Sequence, residues 1–174
     1  MTPIQLYKKL QELFPCLELG GSCKLHAAGL LDRSPKDLDI VVNPENSFTE
    51  FAYKLSHVSK PKEAYVYETI DGNNTPVRHL RFNLSEIDVC VFIVDSGKVT
   101  LQDIIKAKQV YAKNKSKSGK KHHDDLIAID KTLRNRFYLK EKYVQLGELE
   151  KNFKILPENT TKKSDDKKDN SLPF

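Results

Sequence analysis

The hydrophobic and polar positions of the chain follow helical and strand-like periods in a mostly alternating order. The segments that this pattern predicts to be helical are 3–14, 22–31, 47–55, 101–112 and 121–139. The segments typical of strands are 15–20, 37–42, 63–70, 76–83 and 86–94. This order predicts an α/β or α+β domain, in which helices flank a mixed β-sheet and the C-terminal part is helical.

Polar residues mark several boundaries between these segments. Thr2 can cap the first helix, and Pro3 suits its first turn. The turn sequence at 71–74, between two strand segments, predicts a hairpin. Gly119 is predicted to lie in a polar loop ahead of the helix 121–139.

The length of the chain sets its domain organisation. Its 174 residues suffice for one domain with a hydrophobic core, and we expect that domain to cover 1–139. Segment 140–156 forms either an extra helix on the domain or an arm that docks on a partner. The tail, 157–174, is polar and of mixed charge, so we expect it to be disordered.

Composition and cysteine use indicate a cytoplasmic protein. No apolar run approaches the roughly 20 residues that span a bilayer, and the N-terminus lacks the layout of a signal peptide, so no membrane partner is expected. The three cysteines, Cys16, Cys23 and Cys90, are odd in number and lack metal-type spacing. Cys16 and Cys90 fall in apolar runs, where a free thiol behaves as a small hydrophobic group.

A lysine-rich stretch concentrates the positive charge of the chain. The net charge is +5, but residues 106–121 contain seven lysines and no acid, so the remainder carries −2. This local excess favours an anionic partner such as a triphosphate, a nucleic acid or both. The alternative is a solvated lysine face followed by a loop.

Three aspartates are spaced so that neighbouring strands can bring them together. Asp37 and Asp39 project from the same face of a strand, roughly 6–7 Å apart along the chain. Asp88 lies between two apolar residues of a later strand. If those strands are neighbours, the carboxylates repel one another unless a cation lies among them or a pKa rises. Mg²⁺ suits such oxygen ligands, and two ions can clamp the attacking and leaving oxygens of a phosphoryl displacement.

A glycine turn precedes the aspartate pair. Gly20 and Gly21 let the backbone come close to a ligand, and the helix that follows offers unpaired N–H groups and the positive end of its dipole. The Ser22 hydroxyl can bind a phosphate oxygen or cap the helix. The turn therefore has the features of a phosphate cradle, although such a triplet alone is also an ordinary turn.

The sequence His122-His123-Asp124-Asp125 has residue types that can bind zinc. His122 and Asp125 share a helix face, but zinc needs three or four ligands and no further cluster supplies them. For His122, His123 and Asp124 the favoured interpretation is a polar helix start, in which an acid near the N-terminus suits the helix dipole.

The combination of Gly20-Gly21-Ser22, Asp37-Leu38-Asp39 and Asp88 resembles the nucleotidyltransferase superfamily of the DNA polymerase β type. Within that superfamily, the stretch 20–42 is similar to small bacterial nucleotidyltransferases, which include the toxin-type proteins of abortive-infection systems. The resemblance covers about residues 15–130. It implies the nucleotidyltransferase fold, with two Mg²⁺ ions as cofactors and an NTP, such as ATP, as a substrate.

The resemblance also implies site residues. Asp37 and Asp39 would hold the two Mg²⁺ ions, and Asp88 would complete the metal site and take the proton of the acceptor hydroxyl. The residues that would bind the β- and γ-phosphates are Gly20, Gly21 and Ser22. Relatives carry a lysine on one C-terminal helix and a Lys-X-X-X-Asp-Leu stretch opening the next; the matching residues here are Lys108, Lys121 and Asp125.

The activity that the resemblance implies is transfer of a nucleoside monophosphate from an NTP to an acceptor hydroxyl, with release of pyrophosphate. The acceptor would be RNA, such as a tRNA end, or a protein, and a cognate antitoxin is a further expected partner. One alternative is a small-molecule nucleotidyltransferase of the antibiotic-modifying type, against which the lysines argue because they repel a cationic drug. Another is a catalytically silent nucleotide- or RNA-binding module of the same fold.

Overall fold

A computed structural model describes residues 1–43, 62–70, 76–136, 142–151 and 153–155 of the chain. The helices in these residues are α1 (Pro3–Leu13), α2 (Gly21–Ala27), α3 (Leu101–Ala112), α4 (Lys117–Arg136) and α5 (Lys142–Lys151). The strands are β1 (Glu18–Leu19), β2 (Leu38–Val42), β3 (Lys62–Ile70), β4 (Pro76–Leu84) and β5 (Ile87–Ile93). The predicted helix 47–55, the turn 71–74 and the tail 157–174 lie outside the described residues.

The strands within the described residues form one mixed sheet in the order β1-β2-β5-β4-β3. Strands β2 and β5 run parallel, whereas the other neighbouring pairs are antiparallel. The predicted mixed sheet of an α/β or α+β protein is therefore confirmed. The pairing of β2 with β5 joins segments that are far apart in the chain. Its register determines which residues of these two strands lie side by side.

Helix α1 begins as the sequence predicts. The Thr2 hydroxyl accepts a hydrogen bond from the Gln5 backbone N–H at 3.2 Å, and the Gln5 side chain accepts one from the Thr2 N–H at 2.9 Å. This reciprocal capping box satisfies two backbone donors that the helix itself cannot pair. Thr100 and Asp103 cap α3 in the same way.

Helix α4 begins four residues earlier than predicted, at Lys117, so Gly119 lies in its first turn and the predicted loop position is wrong. A Cβ atom on Gly119 would lie 1.7 Å from the carbonyl oxygen of Asn114, so only glycine fits this close approach. The Ser116 hydroxyl also accepts a hydrogen bond from the Gly119 N–H at 3.1 Å. Glycine thus allows α4 to start directly after α3.

Two hydrophobic clusters hold the domain together. The first joins α1 to one face of the sheet through residues that include Ile4, Leu10, Leu38, Ile40, Phe82 and Val89. The second joins the helices α2, α3, α4 and α5 to one another through residues that include Leu25, Leu30, Leu101, Ile105, Ile129 and Leu146. The opposite face of the sheet, which carries Asp39, contributes to neither cluster and lines a cavity.

The described part of segment 140–156 contains α5, which packs on the domain. Leu146 is buried in the helical cluster, and Glu150 accepts hydrogen bonds from the Leu101 N–H at 2.8 Å and from the Lys24 ammonium group. Lys24 is itself buried, donates to the Val99 carbonyl at 2.8 Å and lies over the Phe153 ring. The α5 carboxylate therefore neutralises a cation beneath it.

No helix in the described part of the chain is long and apolar enough to cross a membrane. The cysteines are all free thiols. Cys23 and Cys90 are buried. Cys16 is exposed, so it does not pack as the small hydrophobic group that its apolar run predicts. Burial raises the pKa of Cys23 to about 12, aided by the negative charge of Asp39, so this thiol stays protonated.

Candidate active site

The structure brings the three predicted aspartates to one cavity. Leu38 of β2 lies opposite Val89 of β5, so Asp37 and Asp88, which precede them, come level with each other on adjacent strands. Asp39 lies two residues further along β2. All three aspartates line the same cavity of about 330 Å³. The condition that the two strands be neighbours is therefore met.

The electrostatic environment of Asp39 differs from that of an ordinary surface carboxyl group. Burial, together with the negative charge of Asp37, raises the pKa of Asp39 to about 6, while Lys108 and Lys121 oppose the shift. A raised carboxyl pKa means that the folded protein disfavours the charged form. A cation between Asp37 and Asp39 would relieve this repulsion, so the pair is suited to binding one.

Asp88 is held by the neighbouring strand. It accepts hydrogen bonds from the Asn83 amide at 3.1 Å and from the Arg81 guanidinium at 3.3 Å, both on β4. The sequence analysis did not single out these two residues. Their positions in the antiparallel register, Asn83 opposite Asp88 and Arg81 opposite Cys90, follow only from the pairing of β4 with β5.

The donor chemistry of the aspartates fits Mg²⁺, but the described side chains are not grouped as a complete metal site. Among the residues whose placement is described, no three His, Cys, Asp or Glu side chains converge as ligands of one ion. Asp88 is directed toward Arg81 and Asn83, whereas Asp39 is directed toward the glycine turn. Mg²⁺ needs only one or two protein carboxylates when phosphates supply other oxygens, and Asp37 and Asp39 meet that need.

The glycine turn is in direct contact with Asp39. The Gly20 N–H donates to the Asp39 carbonyl oxygen at 2.9 Å, which ties the turn to β2. Helix α2 begins at Gly21, one residue before the predicted start, and the Ser22 backbone N–H donates to the Asp39 carboxylate. A carboxylate oxygen thus occupies a position at the helix N-terminus that is chemically suited to a phosphate oxygen.

Replacing Gly21 with alanine is expected to disrupt this contact. Gly21 has a φ angle of +50°, and a Cβ atom there would lie 1.8 Å from an Asp39 carboxylate oxygen, so the turn or Asp39 must move. The positive φ costs alanine about 1–2 kcal/mol. We expect Gly21→Ala to lower the free energy of unfolding by at least that amount, measured by urea denaturation.

Gly147→Ala is the matched control for that substitution. Apart from the adjacent backbone of α5 itself, no atom of the described residues lies within 4 Å of a Cβ built at Gly147, which is in the interior of α5. Alanine there is expected to leave stability unchanged or to raise it by up to about 1 kcal/mol. Equal effects of the two substitutions would contradict the assigned role of Gly21.

A buried ionic network connects Ser22 to the helices behind it. Asp125 of α4 accepts two hydrogen bonds from Arg33, both at 2.6 Å, and one from Lys108 at 2.8 Å. Both cations also donate to the Ser22 hydroxyl oxygen, Lys108 at 3.1 Å and Arg33 at 3.3 Å. Residues from the glycine turn, from the loop before β2 and from two helices therefore share one cluster.

The charges of this network stabilise one another. Burial tends to raise the pKa of Asp125, but hydrogen bonds from Arg33 and Lys108 outweigh burial and lower it, so the carboxylate is ionised. Burial lowers the pKa of Lys108, and Asp125 limits that decrease. The buried Lys108 ammonium beside the Ser22 hydroxyl adds positive potential at the N-terminus of α2.

Arg33 is a site residue that the sequence analysis missed. It lies between the predicted helix 22–31 and the strand 37–42, in a loop without any period that indicates which way a side chain points. A basic residue shortly before the aspartate pair was the only available signal. Lys121, in contrast, was predicted; it is exposed, and its charge lowers the pKa of Asp39 without a direct hydrogen bond in the described contacts.

Rings from the sheet and from the α3–α4 region form another part of the cavity wall. His79 and Phe92 pack edge to face with ring centroids 4.2 Å apart, and the His79 Nδ1 atom lies 3.3 Å from the Cys90 sulfur. Across the cavity, Tyr111 and His122 have ring centroids 5.2 Å apart. His122 is therefore a half-buried cavity residue, and its expected role as a simple polar helix start is wrong.

Comparisons with protein-family models, with curated proteins and with solved structures find no match to this chain. The chemical interpretation therefore depends on the residues themselves. The aspartates line the cavity, and Asp39 also contacts the glycine turn, whose Ser22 hydroxyl accepts hydrogen bonds from Lys108 and Arg33. Such an arrangement can bind a cation together with a phosphate ester. The cation neutralises the carboxylates and also attracts the negative phosphate.

Proposed function

We propose that this protein has the nucleotidyltransferase fold and is a Mg²⁺-dependent nucleotidyltransferase. It would move a nucleoside monophosphate from an NTP to an acceptor hydroxyl, on RNA, such as a tRNA end, or on a protein, and release pyrophosphate. The observation that carries the proposal is the single cavity that Asp37, Asp39 and Asp88 line next to the glycine turn. Carboxylates and a phosphate cradle at one cavity are the two requirements of this chemistry.

The three aspartates would have different roles at the reacting phosphorus. Asp37 and Asp39 would hold Mg²⁺, which supplies charge stabilisation for the displaced and attacking oxygens when bound. Asp88, level with Asp37 on the next strand, is the carboxylate suited to accept the proton of the attacking hydroxyl. Asn83 and Arg81 keep that side chain oriented in the absence of substrate.

The glycine turn and its cations would bind the departing pyrophosphate. The Ser22 N–H, which donates to the Asp39 carboxylate in this structure, and the Ser22 hydroxyl would donate to phosphate oxygens once that carboxylate turns away from the glycine turn to hold Mg²⁺. Lys108 and Arg33 already donate to the Ser22 hydroxyl and supply positive charge behind it. Lys121, which is exposed on α4, would add charge from the solvent side. Asp125 would act through Lys108 and Arg33, as a positioning residue.

The direct test is a transfer assay with each of the four α-labelled NTPs and Mg²⁺. Total RNA and a protein extract serve as acceptors, and the Asp37→Ala/Asp39→Ala variant runs in parallel. We expect label on RNA or on protein only when both aspartates are present. NTP binding without any labelled product would instead favour a small-molecule acceptor or a catalytically silent module, and absence of NTP binding would overturn the proposed site.

A further inference from the structure

Five exposed lysines lie on the segment that joins α3 to α4 and on the first residues of α4. We call residues 113–121 the lysine turn; its exposed lysines are Lys113, Lys115, Lys117, Lys120 and Lys121. The segment contains no acidic residue. The two other lysines of the basic stretch differ from these, because Lys108 is buried in the ionic network and Lys106 is only half-exposed. The positive potential is therefore concentrated on one solvent-facing turn.

The lysine turn borders the cavity that holds the aspartates. Asn114, Ser118 and Gly119 belong to the turn and line that cavity directly. The exposed lysines are the chain neighbours of these lining residues, so their backbone lies beside the cavity. A polyanion bound along the turn would pass within reach of the reacting centre, whereas one bound elsewhere on the domain would not.

An aromatic side chain adjoins the lysine turn. Tyr111, in the last turn of α3, is 39% exposed and lines the cavity, and its ring packs at a tilt against His122. A partly exposed ring beside a basic groove is the combination with which proteins bind single-stranded nucleic acids, because lysines follow the phosphates while rings stack on the bases. An acidic protein segment would use the lysines but has no bases to stack on the ring.

We propose that the lysine turn and Tyr111 bind a single-stranded RNA end and direct its hydroxyl into the cavity. This inference rests on the proposed nucleotidyltransferase function, since it identifies RNA as the acceptor and gives the surface that binds it. Each lysine would neutralise a phosphate, and binding would weaken as salt displaces those contacts. Tyr111 would select single strands, because the bases of a duplex are not available for stacking on a side chain.

The test measures RNA binding without NTP or Mg²⁺, so it is independent of turnover. The full-length protein is titrated into a fluorescein-labelled 12-nucleotide single-stranded RNA, and into the corresponding blunt duplex, at several KCl concentrations. Lys113→Gln/Lys115→Gln/Lys117→Gln is the test variant. The matched control removes the same charge from exposed lysines far from the cavity and is Lys8→Gln/Lys9→Gln/Lys98→Gln.

The expected result has two parts. The slope of log K against log [KCl] is negative, and in the test variant it should become shallower by about 2, since each single-strand phosphate contact contributes about −0.7. The control should keep the wild-type slope. Tyr111→Ala should bind the single strand about tenfold more weakly and bind the duplex as the wild type does. Equal losses in both triple variants, or an unchanged affinity of Tyr111→Ala for the single strand, would overturn the proposal.

The outcome also separates this inference from the proposed function. If the wild type transfers label to protein but does not bind the RNA, the acceptor surface is wrong and the transferase function stands. If the RNA binds with the predicted dependence on the lysine turn and no nucleotide is ever transferred, the surface stands and the transferase function fails.

Discussion

Asp39→Asn is expected to abolish nucleotidyl transfer while leaving the domain folded. Asparagine keeps the size of the side chain but removes the charge that would hold Mg²⁺. We expect the rate to fall by at least about 10³-fold, because preorganised charge at the reacting centre commonly contributes that much. Asp37→Asn is expected to behave in the same way. The measurement is the initial rate of NMP transfer for each variant.

Stability provides an internal check on this result. Burial raises the pKa of Asp39 to about 6, so above that pH the folded state carries a charge that it disfavours. Removing the charge should leave the free energy of unfolding at pH 7.5 equal to or higher than that of the wild type. The combination of lost activity with retained or increased stability distinguishes a functional carboxylate from a structural one.

Asp32→Asn is the control for the aspartate variants. Asp32 is exposed and lies shortly before the pair, but it does not line the cavity. Its initial rate of NMP transfer should match that of the wild type, and its free energy of unfolding should differ by no more than about 0.5 kcal/mol. Full activity in either Asp37→Asn or Asp39→Asn would remove the basis of the proposed metal site.

The period of hydrophobic residues predicts most of the described elements. In β2 the alternation of Leu38, Asp39 and Ile40 correctly assigns the buried face and the cavity face. The pairing of β2 with β5 was only a condition of the site prediction, because strand order depends on contacts between distant segments. The start of α4 was misplaced because a run of lysines and serines around Gly119 has the composition of a loop. The local contacts of Gly119 with Asn114 and Ser116 at this helix start leave no periodic signal in the sequence.

The residues that the sequence analysis missed lie where periodicity carries no information. Arg33 is in an irregular loop, and its role depends on Asp125, 92 residues further along the chain. Arg81 and Asn83 alternate with apolar residues as any strand residues do, so nothing distinguishes them until β4 pairs with β5. The aspartates and glycines could be predicted because their chemistry is specialised. Lys108 and Lys121 were indicated only by the resemblance, and Arg33 and Arg81 could not be predicted, since arginine is common on any surface.

Asp125→Asn is expected to destabilise the domain by about 3 kcal/mol. The variant leaves the Lys108 ammonium, whose side chain is 5% exposed, and the Arg33 guanidinium without their shared carboxylate. Removing one partner of a buried ion pair is costly because the remaining charge stays desolvated. Asp124→Asn, at the exposed neighbouring position, should change stability by no more than about 0.5 kcal/mol. Urea denaturation at pH 7 measures both.

The dependence of this effect on pH identifies its cause. The pKa of Asp125 is lower in the folded protein than the unfolded value of about 3.9, so its ionic contribution is complete above that pH and is lost as the pH falls through the folded pKa. The difference between wild type and Asp125→Asn should therefore be constant from pH 7 to pH 5 and shrink below pH 4. A difference that persisted undiminished at pH 3 would mean that Asp125 stabilises α4 through its packing, and that Lys108 and Arg33 do not need its charge to hold Ser22.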